Sequence, residues 1–100
     1  MTILVVDDEA LLVKGIRFNL KSDGYDVITG SNGQEAVELT KSENPDLVVL
    51  DVMMPVMDGL EATKAIRMLE REDAKKIPII AMTANAFEED RKACLDAGMD

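Results

Sequence analysis

The sequence predicts an open, parallel α/β sheet with helices on both faces, and three observations support this fold class. Short apolar runs rich in Val and Ile recur along the chain. The gaps between them carry apolar residues at helical spacing. The third run, Leu47 to Leu50, shows no alternation of apolar and polar residues, which is typical of a strand that is buried on both faces of a parallel sheet.

Four apolar runs are predicted to be strands, because each is short and is followed by turn-forming or polar residues. These runs are Ile3 to Val6, Tyr25 to Thr29, Leu47 to Leu50 and Ile77 to Met82. A chain of 100 residues with 47% hydrophobic content is long enough for one core. We therefore expect one domain that spans residues 1–100.

The first two gaps each predict a helix with one apolar side. The apolar positions of the first gap recur every four residues: Leu12, Ile16 and Leu20. The second gap begins with Asn32 and, three residues later, Glu35, which is the spacing of a capping box. The residues expected on its inner side are Ala36, Val37 and Thr40.

The last two helices are also marked by start and stop signals. Asp58 and Gly59 open the third helix, whose predicted inner residues are Ala62, Ile66 and Leu69. Asn85 and Glu88 form a second capping box, and Gly98 is a helix-stop signal. Between them, three residues fall in helical register: Phe87, Arg91 and Cys94.

Charge and composition exclude several classes of function. The net charge is −9, with no cluster of Lys or Arg, so direct binding to a nucleic-acid backbone is disfavoured. The chain has no His and only Cys94, which excludes a structural zinc site and an internal disulfide. No apolar run approaches the roughly 20 residues that span a bilayer, and no signal peptide is recognisable. We expect a cytoplasmic protein without membrane contact.

Three carboxylates are expected to meet at one edge of the predicted sheet. Asp7 and Asp8 follow the first strand, and Asp51 follows the third. In an open parallel α/β sheet the carboxyl ends of the strands line the ligand crevice. Carboxylates held close together repel one another, and a hard divalent cation with oxygen ligands relieves that repulsion. The sequence therefore predicts a Mg²⁺ site, beside which a carboxylate is able to attack a phosphoryl group.

A simpler interpretation applies to each of these residues alone. Asp is a favoured helix N-cap, so Asp7, Asp8 and Asp58 are also candidates for helix starts. The convergence of the first two with Asp51 favours the metal site over capping. The side chains of three methionines are expected to serve packing or loop structure: Met53, Met54 and Met57. Only the backbone of Met53 is considered for the site.

Three motifs together closely resemble the receiver domain of two-component response regulators: ILVVDDE, DLVVLDVMMPVMDG and IPIIAMTANAF. The resemblance implies a flavodoxin-like fold with strand order 2-1-3-4-5. It implies that Asp51 accepts a phosphoryl group from a phosphohistidine on a partner histidine kinase or histidine phosphotransfer protein. It assigns Asp7 and Asp8 to Mg²⁺, together with the backbone carbonyl of Met53.

The resemblance also assigns a switch role to Thr83, whose hydroxyl is expected to bond a phosphoryl oxygen. Ala84 beside it leaves room for that movement. A strand-end hydroxyl with no such role is the alternative interpretation. The absence of His agrees with an acceptor, so we expect a stoichiometric module and not an enzyme, with at most Mg²⁺-dependent self-phosphorylation and self-dephosphorylation.

The chain departs from the family pattern at its end. It stops at Asp100, so we expect four strands in the order 2-1-3-4, without the fifth strand, the fifth helix or the lysine that pairs with the phosphoryl group. That lysine supplies positive charge, and its absence is expected to weaken phosphorylation. The fourth strand, Ile79 to Met82, is then an apolar edge and the first helix lacks a neighbour. We expect a homodimer or strand-exchanged assembly through these two elements.

Other functions are compatible with parts of this pattern. The chain is alternatively a truncated, chimeric or designed fragment with a vestigial site that self-assembles, since residues after position 80 resemble hybrid-kinase receivers and the first 60 resemble receivers with DNA-binding outputs. A haloacid-dehalogenase-type phosphatase requires Asp at position 53, where this chain has Met53. A flavin-binding flavodoxin requires a phosphate loop where this chain has Asp7, Asp8 and Glu9.

Overall fold

The computed structural model describes residues 1–51, 57–69, 77–82 and 95–99. Strands and helices alternate along these residues, as the apolar periodicity predicts. In chain order the elements are β1 (Thr2–Val6), α1 (Ala10–Ser22), β2 (Asp26–Gly30), α2 (Gly33–Glu43), β3 (Leu47–Asp51), α3 (Gly59–Arg67) and β4 (Ile79–Met82). A further helical turn covers residues 95–97.

The four strands form one parallel sheet in the order β2-β1-β3-β4. In the register, Val6 of β1 pairs with Gly30 of β2 and with Leu50 of β3. Asp51, the last residue of β3, pairs with Met82 of β4. The predicted order 2-1-3-4 and the flavodoxin-like fold are therefore confirmed.

One face of the sheet is covered by α2 and α3 and holds the larger part of the core. Successive strand residues point to opposite faces, so alternate residues of each strand share this side. The buried members of this cluster, which we call the two-helix face, are Leu4, Val6, Ala36, Val48, Leu50, Ala62, Ile66, Ile77, Ile79 and Met99. Several of them lie wholly out of contact with solvent. This face is packed like a protein interior.

Among the residues that the structure describes, α1 is the one helix that covers the opposite face, which we call the one-helix face. Its buried residues are Ile3, Val5 and Val27. Leu47 and Val49 of β3 are only partly buried there, which corrects the prediction that this strand is fully covered on both faces. The reason is that α1 contacts β1 and β2 and leaves β3 with little cover. No residue of α1 itself is buried.

Side chains cap the starts of α2 and α3 where the sequence predicts. The Glu35 backbone N–H donates to Asn32 Oδ1 at 2.9 Å, and the Glu35 carboxylate accepts from Ser31 at 3.0 Å. The returning contact of the capping box therefore falls on Ser31, one residue earlier than a standard box. The Glu61 N–H donates to Asp58 Oδ1 at 2.8 Å, so Asp58 is the N-cap of α3.

The inner side of α3 differs slightly from the prediction. Ala62 and Ile66 are fully buried as expected, and Thr63 is buried as well, with its hydroxyl satisfied by donation to the Gly59 carbonyl at 2.7 Å. Leu69 is half-buried and lies beyond the helix, which ends at Arg67.

Arg67 ties the end of α3 to the last described segment. Its guanidinium donates to the Gly98 carbonyl at 2.7 and 3.0 Å and to the Ile77 carbonyl at 2.6 Å. Gly98 has φ +105° at the end of the 95–97 turn, which confirms the predicted helix stop.

Other predictions of the sequence analysis fall outside the described residues. They concern Met53, Met54, Thr83, Ala84, Asn85, Phe87, Glu88, Arg91 and Cys94. In the part of the chain that is described, no helix has the length and apolar character needed to cross a bilayer.

Candidate functional site

The three carboxylates predicted from the sequence lie together at the carboxyl end of the central strands. Asp7 and Asp8 follow β1 directly, and Asp51 is the last residue of β3. Because β1 and β3 are neighbours in the sheet, both strands end at the same place. One carboxylate oxygen of each residue lies within 4.8 Å of those of the other two. The sheet thus brings together residues that are 43 or more positions apart in the chain.

The three residues differ in their surroundings. Asp7 is buried, Asp51 is half-buried and Asp8 is exposed. Asp7 Oδ1 accepts a hydrogen bond from the Glu9 N–H at 2.9 Å, which fixes the side chain beside the start of α1. The N-cap of α1 is Glu9, whose side chain makes no capping bond. The capping interpretation is therefore right for Asp58 and wrong for Asp7 and Asp8.

The donor set of this cluster fits a hard divalent cation. All three side chains offer carboxylate oxygens and nothing softer, which suits Mg²⁺ or Ca²⁺ and not zinc or copper. Asp7 and Asp8 are neighbours on a turn, while Asp51 is held by a strand that pairs on both sides. A cation bound there would offset three negative charges that otherwise repel one another. The residues present therefore fit the predicted Mg²⁺ site.

A depression of about 340 Å³ borders the acidic cluster between α1 and the loop that follows β2. Its lining includes Asp7 and Asp8 together with Lys14 and Arg17 of α1. Glu35 also lines it, and the Glu35 carboxylate accepts a hydrogen bond from Ser31. Neither basic residue was predicted from the sequence to belong to the site. The signal that was available is their position on the predicted first helix, seven and ten residues after Asp7. Residues three apart on a helix share a face, so both were candidates for a surface beside the acidic pair.

The loop after β3 approaches α2 closely at one described position. A Cβ atom placed on Gly33 would overlap the carbonyl oxygen of Met57 and lie 2.7 Å from its carbonyl carbon. Gly33 is the first residue of α2 and is buried. Only glycine therefore allows the backbone at Met57 to rest on this helix. Met53 and Thr83, the other predicted site residues, lie outside the described residues.

Comparison with known proteins points to one family. Residues 3–100 match the response regulator receiver domain family. The chain is 45% identical over 98 residues to the alkaline phosphatase synthesis transcriptional regulatory protein PhoP of Bacillus subtilis, and 43% identical to the response regulator MprA of Mycolicibacterium vanbaalenii. The alignments cover 98% of this chain but 39% and 41% of those proteins. The chain thus spans about two fifths of the length of these relatives.

Solved structures give the same result. The receiver domain of the sensor histidine kinase PA1611 from Pseudomonas aeruginosa, which holds a magnesium ion in its active site cleft, superposes with a TM-score of 0.87 at 39% identity. The chemotaxis response regulator CheY4 of Vibrio cholerae superposes with a TM-score of 0.91 at 32% identity. These comparisons cover 99% and 98% of this chain and 80% of each solved chain. The chain therefore belongs to the response regulator receiver domain family.

Proposed function

We propose that this chain is the phospho-acceptor module of a two-component phosphorelay and that Asp51 receives the phosphoryl group. The donor is a phosphohistidine on a partner histidine kinase or histidine phosphotransfer protein. The observation that carries the proposal is the meeting of Asp7, Asp8 and Asp51 within 4.8 Å at the sheet edge. Family membership supports the same assignment. Asp51 is preferred as acceptor because it is anchored at the end of a central strand, while the resemblance assigns the other two to the metal.

The reaction is a transfer of one phosphoryl group between two side chains. A carboxylate oxygen of Asp51 attacks phosphorus and forms a P–O bond as the P–N bond to the donor imidazole breaks. The leaving nitrogen keeps the electron pair of the broken bond and takes up a proton. The products are an aspartyl phosphate and an unmodified histidine. With acetyl phosphate as donor, a P–O bond breaks instead and acetate leaves with its charge, so no proton is needed.

Asp7, Asp8 and Asp51 would hold the cation, with the Met53 carbonyl as the further ligand that the family resemblance implies. Bound Mg²⁺ supplies positive charge that offsets the phosphoryl oxygens as they approach the carboxylates. The resemblance gives Thr83 the role of the switch hydroxyl. Asp7 is restrained by its bond from the Glu9 N–H, so its carboxylate is already oriented before a cation arrives.

This role makes the chain a stoichiometric acceptor in the cytoplasm and not an enzyme with turnover on a separate substrate. The net charge of −9 supports recognition of a protein partner over direct contact with nucleic acid. In longer proteins of the PhoP and MprA kind, output functions would belong to the parts that this chain does not span.

Intact-mass spectrometry after incubation with acetyl phosphate tests the proposal. The parent chain should gain one phosphoryl mass with Mg²⁺ and none after chelation. Asp51→Asn should gain none under either condition. Asp58→Asn is the matched control, because Asn is an equally good N-cap and the residue lies outside the carboxylate cluster. A folded parent that gains no mass, or an Asp51→Asn variant that still does, would disprove the assignment.

A binding experiment tests the metal site without phosphorylation. Mg²⁺ should raise the melting temperature of the parent and of Asp58→Asn, because a ligand that binds only the folded state stabilises it. The Asp7→Asn, Asp51→Asn double variant should melt at the same temperature with and without Mg²⁺. Relief of carboxylate repulsion should also make this double variant more stable than the parent when no metal is present.

A second candidate function is self-assembly, with a vestigial site. The observation that favours it is the high exposure of large apolar side chains on α1 and β4: Leu11 at 86%, Phe18 at 72% and Ile80 at 46%. A homodimer or strand-exchanged assembly would cover them through α1 and β4. Light scattering across a range of protein concentrations distinguishes a monomer from an assembly. A single species of monomer mass at high micromolar concentration would reject this candidate.

A further inference from the structure

We propose that Lys14 and Arg17 form an electrostatic guide that draws anionic phosphodonors toward Asp51. This inference rests on the proposed function and adds to it a specificity element that the three carboxylates do not provide. The donor class it favours is a small dianionic acyl phosphate.

The need for such a guide follows from charge. A phosphodonor carries negative charge, and it must reach three carboxylates on a molecule whose net charge is −9. A bound cation compensates part of that charge at the cluster itself, but approach from solvent is still opposed by the surrounding acidic residues. A local positive surface beside the cluster would lower this barrier.

Helix α1 provides that surface. It contains Lys14, Arg17 and Lys21 and no acidic residue. Positions 10, 13, 14 and 17 form one stripe of a helix, and all four of them line the depression that Asp7 and Asp8 also line. Lys14 and Arg17 are exposed, and neither makes an ion pair with any other residue that the structure describes. Their charge is therefore available to a molecule that enters the depression.

The third acidic residue of the depression does not cancel this effect. It is Glu35, whose carboxylate oxygens accept from the Ser31 hydroxyl at 3.0 Å. Glu35 is thereby held beside Ser31 at the start of α2. An anion in the depression therefore meets two cations of α1 that make no ion pair with any described residue, and a carboxylate that is already hydrogen-bonded.

The proposal predicts opposite changes in two measurable quantities. Removal of Lys14 and Arg17 should slow phosphorylation by acetyl phosphate, because attraction of the dianion is lost. The same removal should strengthen Mg²⁺ binding, because two positive charges no longer repel the cation. At separations of about 10 Å in water, with salt screening, each charge removed should change either quantity about twofold. A general loss of fold would lower both the phosphorylation rate and the Mg²⁺ affinity, so the opposite changes expected here distinguish the guide from unfolding.

The experiment compares the parent with the Lys14→Gln, Arg17→Gln double variant and with Lys21→Gln. Lys21 lies on the same helix but does not line the depression, so it controls for charge and helix content. Phosphorylation rates are measured by intact mass with acetyl phosphate, a dianion, and with phosphoramidate, whose net charge is lower. With acetyl phosphate, the double variant should be phosphorylated about fourfold more slowly than the parent. With phosphoramidate the loss of rate should be smaller, and in high salt it should be small with either donor. The conservative exchange Lys14→Arg, Arg17→Lys should restore the parent rate.

Mg²⁺ affinity of the same variants, measured by titration calorimetry, completes the test. The double variant should bind Mg²⁺ about fourfold more tightly than the parent in low salt. Lys21→Gln should bind Mg²⁺ with the same affinity as the parent. Equal rates and equal affinities in the double variant and the parent would overturn the guide while leaving Asp51 as acceptor. A parent that is not phosphorylated at all would overturn the proposed function. The Mg²⁺ affinities of the parent and the double variant would then still test whether Lys14 and Arg17 act on charge at the carboxylate cluster.

Discussion

The two faces of the sheet contain side chains from the same strands, yet these side chains are buried to different extents. On the two-helix face, Val48 and Leu50 of β3 are inaccessible to solvent. On the one-helix face, Leu47 and Val49 of the same strand are only partly buried. The strand sequence is equally apolar on both sides, so the difference arises from the helices that cover it. Within the described ranges, the face with two helices is more deeply buried than the face with one.

The helices differ in the same way. Helix α3 buries Ala62 and Ile66 completely, and its start is capped by Asp58. Helix α1 buries no residue, has no side-chain cap and exposes Leu11 and Phe18. A depression of about 770 Å³ runs along this exposed side of α1. We therefore expect the two-helix face to contribute more of the stability, while α1 is less deeply packed and has a larger exposed surface.

The largest test of this comparison removes one isoleucine from each face. Ile66→Ala should lower the free energy of unfolding by about 3 kcal/mol, because a fully buried side chain is replaced by a cavity. Ile16→Ala, its counterpart on α1, should cost about 1 to 2 kcal/mol because Ile16 is only partly buried. Urea denaturation followed by circular dichroism measures both. Equal losses would show that the two faces contribute equally.

A second test adds a methyl group on the two-helix face. Gly33→Ala should destabilise the fold by about 2 kcal/mol, since its Cβ would overlap the backbone of Met57 and force the two segments apart. Met57 lies six residues after Asp51 in the chain, so its displacement should also lower Mg²⁺ affinity. Thermal melts with and without Mg²⁺ report both effects. A melting temperature at or above that of the parent would rule out the close contact.

The same change on α1 should have the opposite sign. Gly15 lies in the middle of α1, and a Cβ there would meet no atom within 4 Å. Gly15→Ala should therefore stabilise the chain by about 0.5 to 1 kcal/mol through helix propensity alone. The urea midpoint is the measure. A decrease would mean that the α1 surface is covered in solution, as the self-assembly candidate requires.

The smallest expected effect on stability concerns the exposed aromatic side chain of α1. Phe18→Ala should change the free energy of unfolding by no more than about 0.5 kcal/mol in a monomer, because Phe18 is 72% exposed. Repeating the melt at several protein concentrations sharpens the test. A loss that grows with protein concentration would show that Phe18 is buried between chains.

The sequence predicted the elements well and their burial less well. The four strands begin and end within two residues of the predicted bounds, since short apolar runs followed by polar or turn-forming residues mark strands clearly. Asn32, Asp58 and Gly98 mark helix ends as predicted, because capping depends on residues close in sequence. Half-burial of Leu47 and Val49 was not predicted, since it depends on which strands α1 covers.

The candidate site shows the same division. Asp7, Asp8 and Asp51 were identified from their places at strand ends, and the parallel sheet brings them together as expected. Lys14 and Arg17 were not identified as part of the site, because on the sequence they are ordinary exposed residues of a helix. Only the packing of α1 beside the loop after β2 places them in the same depression as the acidic pair.

The resemblance to the receiver-domain family implied the strand order, and the sequence by itself determined the fold class, the helix caps and the three carboxylates. These features depend on local propensity and on the rule that parallel strands end at one edge of the sheet. The tertiary structure decided which face is deeply buried, why Gly33 must lack a side chain, and which basic residues border the acidic cluster. Those features depend on contacts between segments distant in the chain, and no local pattern specifies the relative position of such segments.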